Sequence, residues 1–276
     1  RVPSLLGSGC PTVPRAFSQT VTREAFTYDS GSHFAQLPFI GWTIGSTRTD
    51  GGIFLMALMV ETKDCTALSD AEIEEMADLI EDEPVVFDVG ELSKQRDAWV
   101  LVTQVRDGNK LSAYGFCTLE RVGGDPTVLI GLAAVKRTSR REGALKAMIT
   151  DQMRRAVLAF PDEDVLVAAQ MADPAAFDAY KPLSRVVPRP GYEANGEDRA
   201  WGRRLAKRFE VRGEYKAKEF RVYGEGLPSL VLSHNSSKPE SIKPEVVALF
   251  EGHNVLNGDA LVTFGGATRE KLAKLL

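Results

Sequence analysis

The residues best suited to chemistry in this 276-residue chain form a basic run that ends at a glycine. Lys136 to Arg141 reads KRTSRR, and Glu142 and Gly143 follow it. The next residues place apolar side chains at steps of three and four, which predicts a helix that starts near the glycine. About four N–H groups lack partners at such a start, and the helix dipole adds roughly half a positive charge there. The pattern therefore predicts a binding site for an anion such as a phosphate.

This segment resembles the pyrophosphate-binding motif of the GNAT superfamily, the acyl-CoA-dependent N-acyltransferases. The motif reads R/Q-x-x-G-x-G/A, and Arg140 and Gly143 match its first two fixed positions. Leu145 departs from the third, where a small residue is usual. Taken alone, the motif has a second interpretation as an arginine-rich turn that is merely solvated.

The resemblance implies acetyl-CoA as cosubstrate, with its pyrophosphate held by two arginines and by the backbone N–H groups of Glu142 to Leu145. It also implies that pantetheine inserts like an extra strand between the strand before the turn and the strand after the helix. The cofactor-binding residues predicted in this way are Ala133, Ala134, Val135, Arg140, Arg141, Glu142, Gly143, Ala144, Leu145 and Lys146.

The residues that move protons are less clearly marked. In the resembled family the helix after the fifth strand often reads N-x-x-A-x-x-x-Y, and Asp173, Ala176 and Tyr180 have that spacing. The resemblance implies that Tyr180 protonates the leaving thiolate, and the alternative is a core tyrosine with its hydroxyl at the rim. Glu120 and Gln170 are the nearest candidates for a general base, and the alternative for Glu120 is a surface carboxylate on an edge strand.

Strands and turns around the basic run predict the elements that position these residues. An Asp-Gly hairpin turn at Arg106 to Asn109 and a second turn at Gly123 to Pro126 join three strands into an antiparallel meander. A strand at Gly52 to Glu61 and a helix capped by Ser69 precede it. The predicted strands of the meander and the strand after the helix are Asp97–Gln104, Lys110–Val122, Thr127–Val135 and Asp164–Met171. The predicted fold class is α/β (α+β), a mixed and mainly antiparallel sheet of GNAT type flanked by helices.

Composition divides the chain into three predicted parts. Residues 1–50 form an N-terminal arm rich in Ser, Thr, Gly, Pro and isolated aromatics, for which partial disorder is the alternative. Residues 51–233 form the acyltransferase domain, closed by a pair of strands at Glu219–Tyr223 and Ser229–Ser233. Residues 234–276 form a C-terminal extension, with a linker at Asn235 to Pro239 and a small appended lobe that contains a strand at Gly258–Phe264.

A basic stretch lies between Arg199 and Arg221. It holds nine Lys or Arg against three acids, although the whole chain has a net charge of −4. Trp201, Leu205 and Phe209 mark one side of a predicted amphipathic helix there. The stretch suits nucleic acid or the ribose phosphate of the cofactor, and a charged, solvated helix is the alternative.

The three cysteines and three histidines show no ligand spacing, so no metal site and no disulfide framework are predicted. Cys117 is predicted to be a small buried hydrophobe. No apolar run reaches the roughly 18 residues of a membrane span, and a cytoplasmic protein is expected. The oligomeric state is left open.

The predicted function is transfer of an acetyl or other acyl group from acyl-CoA to a primary amine. The acceptor is not specified, and a nucleobase or nucleic acid is one candidate. Two other readings are kept: a non-catalytic module of this fold that binds acyl-CoA or a partner, and a nucleic-acid-binding protein of unrelated fold.

Overall fold

The structure is a computed structural model that describes residues 42–43, 57–79, 86–226, 232–233 and 241–275. Its strands in this part of the chain are β1 (Trp42–Thr43), β2 (Leu58–Asp64), β3 (Leu101–Asp107), β4 (Lys110–Val122), β5 (Asp125–Val135), β6 (Val165–Met171), β7 (Ser184–Val187), β8 (Glu214–Lys216), β9 (Arg221–Tyr223), β10 (Leu232–Ser233) and β11 (Ala260–Ala267). Its α-helices are α1 (Asp70–Asp78), α2 (Val89–Ala98), α3 (Arg141–Ala159), α4 (Gly196–Arg208), α5 (Pro244–Val247) and α6 (Arg269–Ala273).

The strands form one mixed sheet in the order β1-β2-β3-β4-β5-β10-β6-β11-β9-β8, with β7 paired to β11. Among the strands that the structure describes, only the pairs among β5, β10 and β6 are parallel, and the other pairs are antiparallel. The predicted fold class, a mainly antiparallel mixed sheet flanked by helices, is confirmed.

The hydrophobic core lies on both faces of the sheet. Side chains of α3, such as Met148, join one cluster with Ala133 of β5. Side chains of α1 and α2, such as Ile73 and Leu92, join a second cluster with Ala134. Neighbouring residues of β5 thus face opposite layers, as the two-residue period of a strand requires.

Several local patterns on both sides of α3 in the sequence are confirmed. Gly108 has a φ of 61° in the hairpin turn, a conformation that glycine adopts without steric cost. Ser69 and Glu72 form the predicted capping box at the start of α1. The strand after α3 is β6, and Asp173 caps the following 3-10 helix, Pro174–Tyr180.

Several predictions near the sheet are corrected. The predicted closing strands do not pair with each other in their described residues, because β9 pairs with β8 and β11 whereas β10 lies between β5 and β6. The predicted strand near Gly258 is β11, which pairs with β6 over seven residues and so lies within the main sheet rather than in an appended lobe.

One helix was missed in the sequence. Asp97 was expected to begin a strand, but it lies in α2, whose N-cap Asp88 accepts a hydrogen bond from the Glu91 N–H at 2.7 Å. The Asp-x-x-Glu spacing at its start was the available signal. Apart from β1, the N-terminal arm lies outside the described residues, as do the predicted linker at Asn235 to Pro239 and the start of the strand predicted from Gly52.

A β-bulge in β5 sets the course of that strand. Ala133 pairs with Gly115 and Ile130 pairs with Cys117, so β5 carries one residue more than β4 between these pairs. The extra residue falls at Gly131–Leu132, immediately after the last pair between β5 and β6. A bulge bends its strand and increases its twist, so we attribute the divergence of β5 from β6 to it.

Gly131 is required in this bulge, and we expect Gly131→Ala to destabilise the protein by about 1–3 kcal/mol, the usual cost of overpacking. A Cβ at this position would lie 2.3 Å from Cε2 of Trp99, whose ring is held by a 2.9 Å hydrogen bond from Nε1 to Gln95 Oε1. Urea unfolding measures the change. Gly196→Ala is the control, because no atom lies within 4 Å of a Cβ there. An unchanged midpoint for the Gly131 variant would show that the ring moves freely.

Candidate functional site

The candidate site lies where β5 and β6 separate. The two strands pair in parallel from Thr127 with Leu166 to Ile130 with Ala169, and no further direct pair follows. Beyond this point the gap between the two strands is wide enough for one further strand, since Leu232 pairs with both Ala133 and Met171. Parallel strands that separate leave backbone N–H and C=O groups facing a gap, and these groups require partners.

The chain itself supplies partners in this gap. Leu232 of β10 pairs with Ala133 of β5 and with Met171 of β6, and Ser233 pairs with Ala134. Both pairings are parallel. β10 thus occupies the position beside Ala133 and Ala134 that was predicted for pantetheine.

The start of α3 lies at the end of the same strand. Arg140 is its N-cap, and its side chain makes no capping hydrogen bond. The Ala144 N–H donates to the Arg140 carbonyl at 3.0 Å, and the Arg141 N–H donates to the Thr138 carbonyl at 3.3 Å. Among the described residues no acceptor is found for the N–H groups of Glu142 and Gly143. The pyrophosphate-binding amides predicted for Glu142 to Leu145 are therefore reduced to these two, since the Ala144 and Leu145 amides belong to the helix.

The two arginines at this turn have different surroundings. Arg140 forms an ion pair with Asp107 through Nη1 and Oδ1. Arg141 is only 2% exposed, and its Nε and Nη2 have no hydrogen-bond partner among the described residues. Buried guanidinium donors without partners are costly, so Arg141 is the stronger candidate for binding a phosphate.

Gly143 is exposed at the third position of α3, and the free protein shows no steric need for it there. The nearest atom to a Cβ on this residue would be Cδ1 of Leu58, at an ordinary contact distance of 3.6 Å. Glycine inside a helix costs about 0.5–1 kcal/mol relative to alanine. The open space above this residue fits close approach of a ligand. Lys146 is exposed on the next turn, whereas Ala144 and Leu145 are buried.

Tyr180 lies away from solvent and is 2% exposed. Its hydroxyl donates a hydrogen bond of 3.1 Å to the carbonyl oxygen of Thr263 in β11. Burial raises the pKa of Tyr180 well above its ordinary value. The single hydroxyl proton is therefore engaged by the fold, and the acid role implied for Tyr180 remains a prediction that these contacts do not favour.

Glu120 lies on β4, opposite the end of β5 that is far from Ala134 and from the predicted position of the thioester. It pairs with Thr127, seven residues before Ala134, which corresponds to about 23 Å along a strand. Its carboxylate forms a two-pronged ion pair with Arg208, with distances of 2.6 and 2.8 Å. We therefore correct this assignment: Glu120 attaches α4 to the sheet.

Two buried polar groups near Ala134 were not predicted from the sequence. Tyr114 pairs with Ala134 on one side and with Gln104 on the other, and its side chain is in the cluster beneath α1 and α2. The Tyr114 hydroxyl and the Gln104 Oε1 have no partner among the described residues. Burial strongly raises the pKa of Tyr114. Only the strand register, which sequence periodicity does not give, brings them beside Ala134.

The basic stretch forms the predicted amphipathic helix, α4, with Leu205 and Phe209 buried. Much of its charge is used within the fold. Arg208 binds Glu120, and Arg221 donates to the carbonyls of Leu249 and Glu251. These contacts give nucleic-acid binding no support.

Two of the cysteines lie in the part of the chain that the structure describes. Cys65 and Cys117 are buried free thiols, and desolvation raises the pKa of each to about 12. Within the described ranges, no group of three or more His, Cys, Asp and Glu side chains is arranged to hold a metal ion. None of the described helices combines the length and apolar character needed to cross a bilayer.

No protein-family model matches the chain, and no curated protein matches it. Solved structures that are similar to it include three acetyltransferases. The ribosomal-protein-S18-alanine N-acetyltransferase from Escherichia coli is 13% identical with a TM-score of 0.33, over 50% of this chain and 86% of its own. The aminoglycoside acetyltransferase meta-AAC0020 from an uncultured soil metagenomic sample is 20% identical with a TM-score of 0.33, over 45% and 85%. The acetyltransferase of GNAT family from Streptococcus pneumoniae is 8% identical with a TM-score of 0.34, over 48% and 90%.

At TM-scores of 0.33 to 0.34 and identities of 8 to 20%, these similarities carry no argument about the family of this chain. Each alignment covers about half of this chain. The meander β2 to β5, the helix α3 and the separating pair β5 and β6 are the elements that the resemblance implied. Nothing about the substrate is taken from these proteins.

We expect Arg141→Met to raise the free energy of unfolding in the absence of ligand by about 1–4 kcal/mol, because an apolar side chain of similar size removes an uncompensated buried charge. Denaturant unfolding at low ionic strength measures this change. Lys146→Met, which alters an exposed cation of the same helix, should stay within about 0.5 kcal/mol of the original protein. A loss of stability in the Arg141 variant would show that the guanidinium is compensated within the fold.

Proposed function

We propose that this chain is an N-acyltransferase that transfers an acetyl or other acyl group from acyl-CoA to a primary amine. The observation that supports it most is the start of α3, where the Glu142 and Gly143 amides have no acceptor among the described residues and the neighbouring Arg141 is buried with Nε and Nη2 unbonded. A diphosphate satisfies all three groups at once. Charge-assisted hydrogen bonds to such an anion are stronger than those between neutral groups.

The residues at this end of the site fit the diphosphate of acyl-CoA. The Glu142 and Gly143 amides donate to phosphate oxygens, and the Arg141 guanidinium neutralises their charge. Gly143 permits close approach because a Cβ there is absent. Arg140 contributes less, since Asp107 already shares its charge. The side chain of Glu142 is exposed and takes no part in binding the anion.

The acyl transfer follows the usual balance of an aminolysis. The amine nitrogen forms a bond to the thioester carbonyl carbon, the carbon–sulfur bond breaks, and coenzyme A leaves as a thiol after it gains a proton. The amine gives up one proton to solvent or to a base. A backbone N–H near Ala134 or Val135 stabilises the oxyanion that develops on the carbonyl oxygen.

Tyr114 is our candidate for a side chain that assists this step. It is the cross-strand neighbour of Ala134, and its hydroxyl proton is not engaged by the described residues. Because burial raises its pKa, the hydroxyl keeps its proton and acts as a hydrogen-bond donor to developing negative charge rather than as an acid. Tyr180 and Glu120 are engaged by Thr263 and Arg208, and we assign neither of them a step.

Binding of acetyl-CoA by isothermal calorimetry tests the diphosphate site. We expect Arg141→Met to weaken binding about 10- to 150-fold, as the loss of one charge-assisted hydrogen bond of about 1.5–3 kcal/mol predicts. Arg203→Met on α4 should bind as the original chain does, because Arg203 is an exposed cation away from this turn. Acetyl-pantetheine, which lacks the diphosphate, should not distinguish the Arg141 variant. Equal affinity of the variants for acetyl-CoA would refute the site.

Tyr114→Phe separates stability from activity. We expect the variant to be more stable by about 1–3 kcal/mol, since it loses a buried unsatisfied hydroxyl. We also expect kcat for thiol release with a reactive amine to fall about 10- to 100-fold while KM stays unchanged. Tyr180→Phe is the matched comparison, and it should lose stability with little change in kcat. A fall in kcat for Tyr180→Phe with unchanged kcat for Tyr114→Phe would assign the proton-donating role to Tyr180 instead.

The second candidate function is a non-catalytic module that binds acyl-CoA. It is favoured by one observation: the backbone neighbours of Ala133 to Val135 in the described strands are Ala113, Tyr114, Gly115, Leu232 and Ser233, which include no carboxylate or histidine. Tight binding of acetyl-CoA with no thiol release for any amine of a broad panel would establish this function instead.

A further inference from the structure

The backbone groups that line the gap between β5 and β6 determine what kind of chain can occupy it. Ala133 and Ala134 on one side and Met171 on the other present strand backbone to it. An occupant must therefore be extended and must carry both N–H donors and C=O acceptors along its length. In the free protein the occupant is β10, which runs parallel to both neighbours.

The described part of β10 is Leu232 and Ser233, and it pairs with β5 and, through Leu232, with β6. The pantetheine arm of acyl-CoA is an extended chain with two amide groups, and each carries one N–H and one C=O. A strand and this arm thus offer the same kind of groups to the gap.

Resting on the proposed function, we propose that β10 and the pantetheine arm occupy this gap in turn, so that acyl-CoA binding expels β10. The Glu142 and Gly143 amides are not engaged when β10 is in place, so the diphosphate can bind first. The arm then exchanges with β10 beside Ala133 and Ala134. The apparent affinity for acyl-CoA equals the intrinsic affinity multiplied by the fraction of molecules in which the gap is empty.

A proline at position 232 tests the exchange, because it removes the backbone N–H of Leu232 and cannot complete the parallel ladder. Leu232→Ala is the matched control, since it retains the backbone that forms the pairs. We expect Leu232→Pro to bind acetyl-CoA about 5- to 50-fold more tightly than the original chain, and Leu232→Ala to bind within about twofold of it. Equal affinities of all three would overturn the exchange while leaving the proposed function intact.

Hydrogen exchange of the original chain provides a measurement that does not depend on the proline variant folding. Saturation with acetyl-CoA should speed amide exchange at Leu232 and Ser233 and slow it at Glu142 and Gly143. Unchanged or slower exchange at Leu232 and Ser233, with slowing at α3, would show that the arm binds elsewhere. If no variant binds acetyl-CoA and no amide responds, the proposed function and this inference both fail.

Discussion

The separation of two parallel strands is the constraint on which this structure depends. β5 and β6 share four residue pairs, and a bulge at Gly131–Leu132 then bends β5 away. Backbone groups that face the resulting gap need hydrogen-bond partners, since leaving them unpaired in the interior costs free energy comparable to the lost bonds. The bulge is packed against Trp99, which explains why glycine is required there. The gap is therefore a built feature of the sheet.

Two kinds of unsatisfied group meet at the end of β5. The first are the amides of Glu142 and Gly143, which have no acceptor among the described residues, and the second are the Nε and Nη2 atoms of the buried Arg141. Both favour a multivalent anion, and a single diphosphate reaches groups that are adjacent along one helical turn. The opposite face adds the unpartnered hydroxyl of Tyr114. The buried members of this set, Arg141 Nε and Nη2 and the Tyr114 hydroxyl, lower stability in the free protein, a pattern typical of binding sites rather than of structural cores.

Local patterns explain which parts of the fold could be predicted. The hairpin turn at Gly108, the capping box at Ser69 and the periodicity of α3 each depend on residues close in sequence, and each prediction was confirmed. Register is a long-range property, and the sequence does not contain it in readable form. Glu120 looked suitable as a base only while its distance from Ala134 along the sheet was unknown. Tyr114 was overlooked for the same reason. The apolar run that contains Leu232 predicted a strand, but its hydrophobicity could not show that it lies between β5 and β6 rather than beside β9.

The central claim is that the first amides of α3 bind a diphosphate. The most direct measurement is the amide chemical shift of Glu142 and Gly143 during titration of a ¹⁵N-labelled sample with coenzyme A. Pantetheine, which carries no phosphate, is the reference. We expect both amide protons to move downfield with coenzyme A, together with the Arg141 side-chain Nε–H, and to stay in place with pantetheine. Unchanged shifts at these three groups while other amides respond to coenzyme A would contradict the claim.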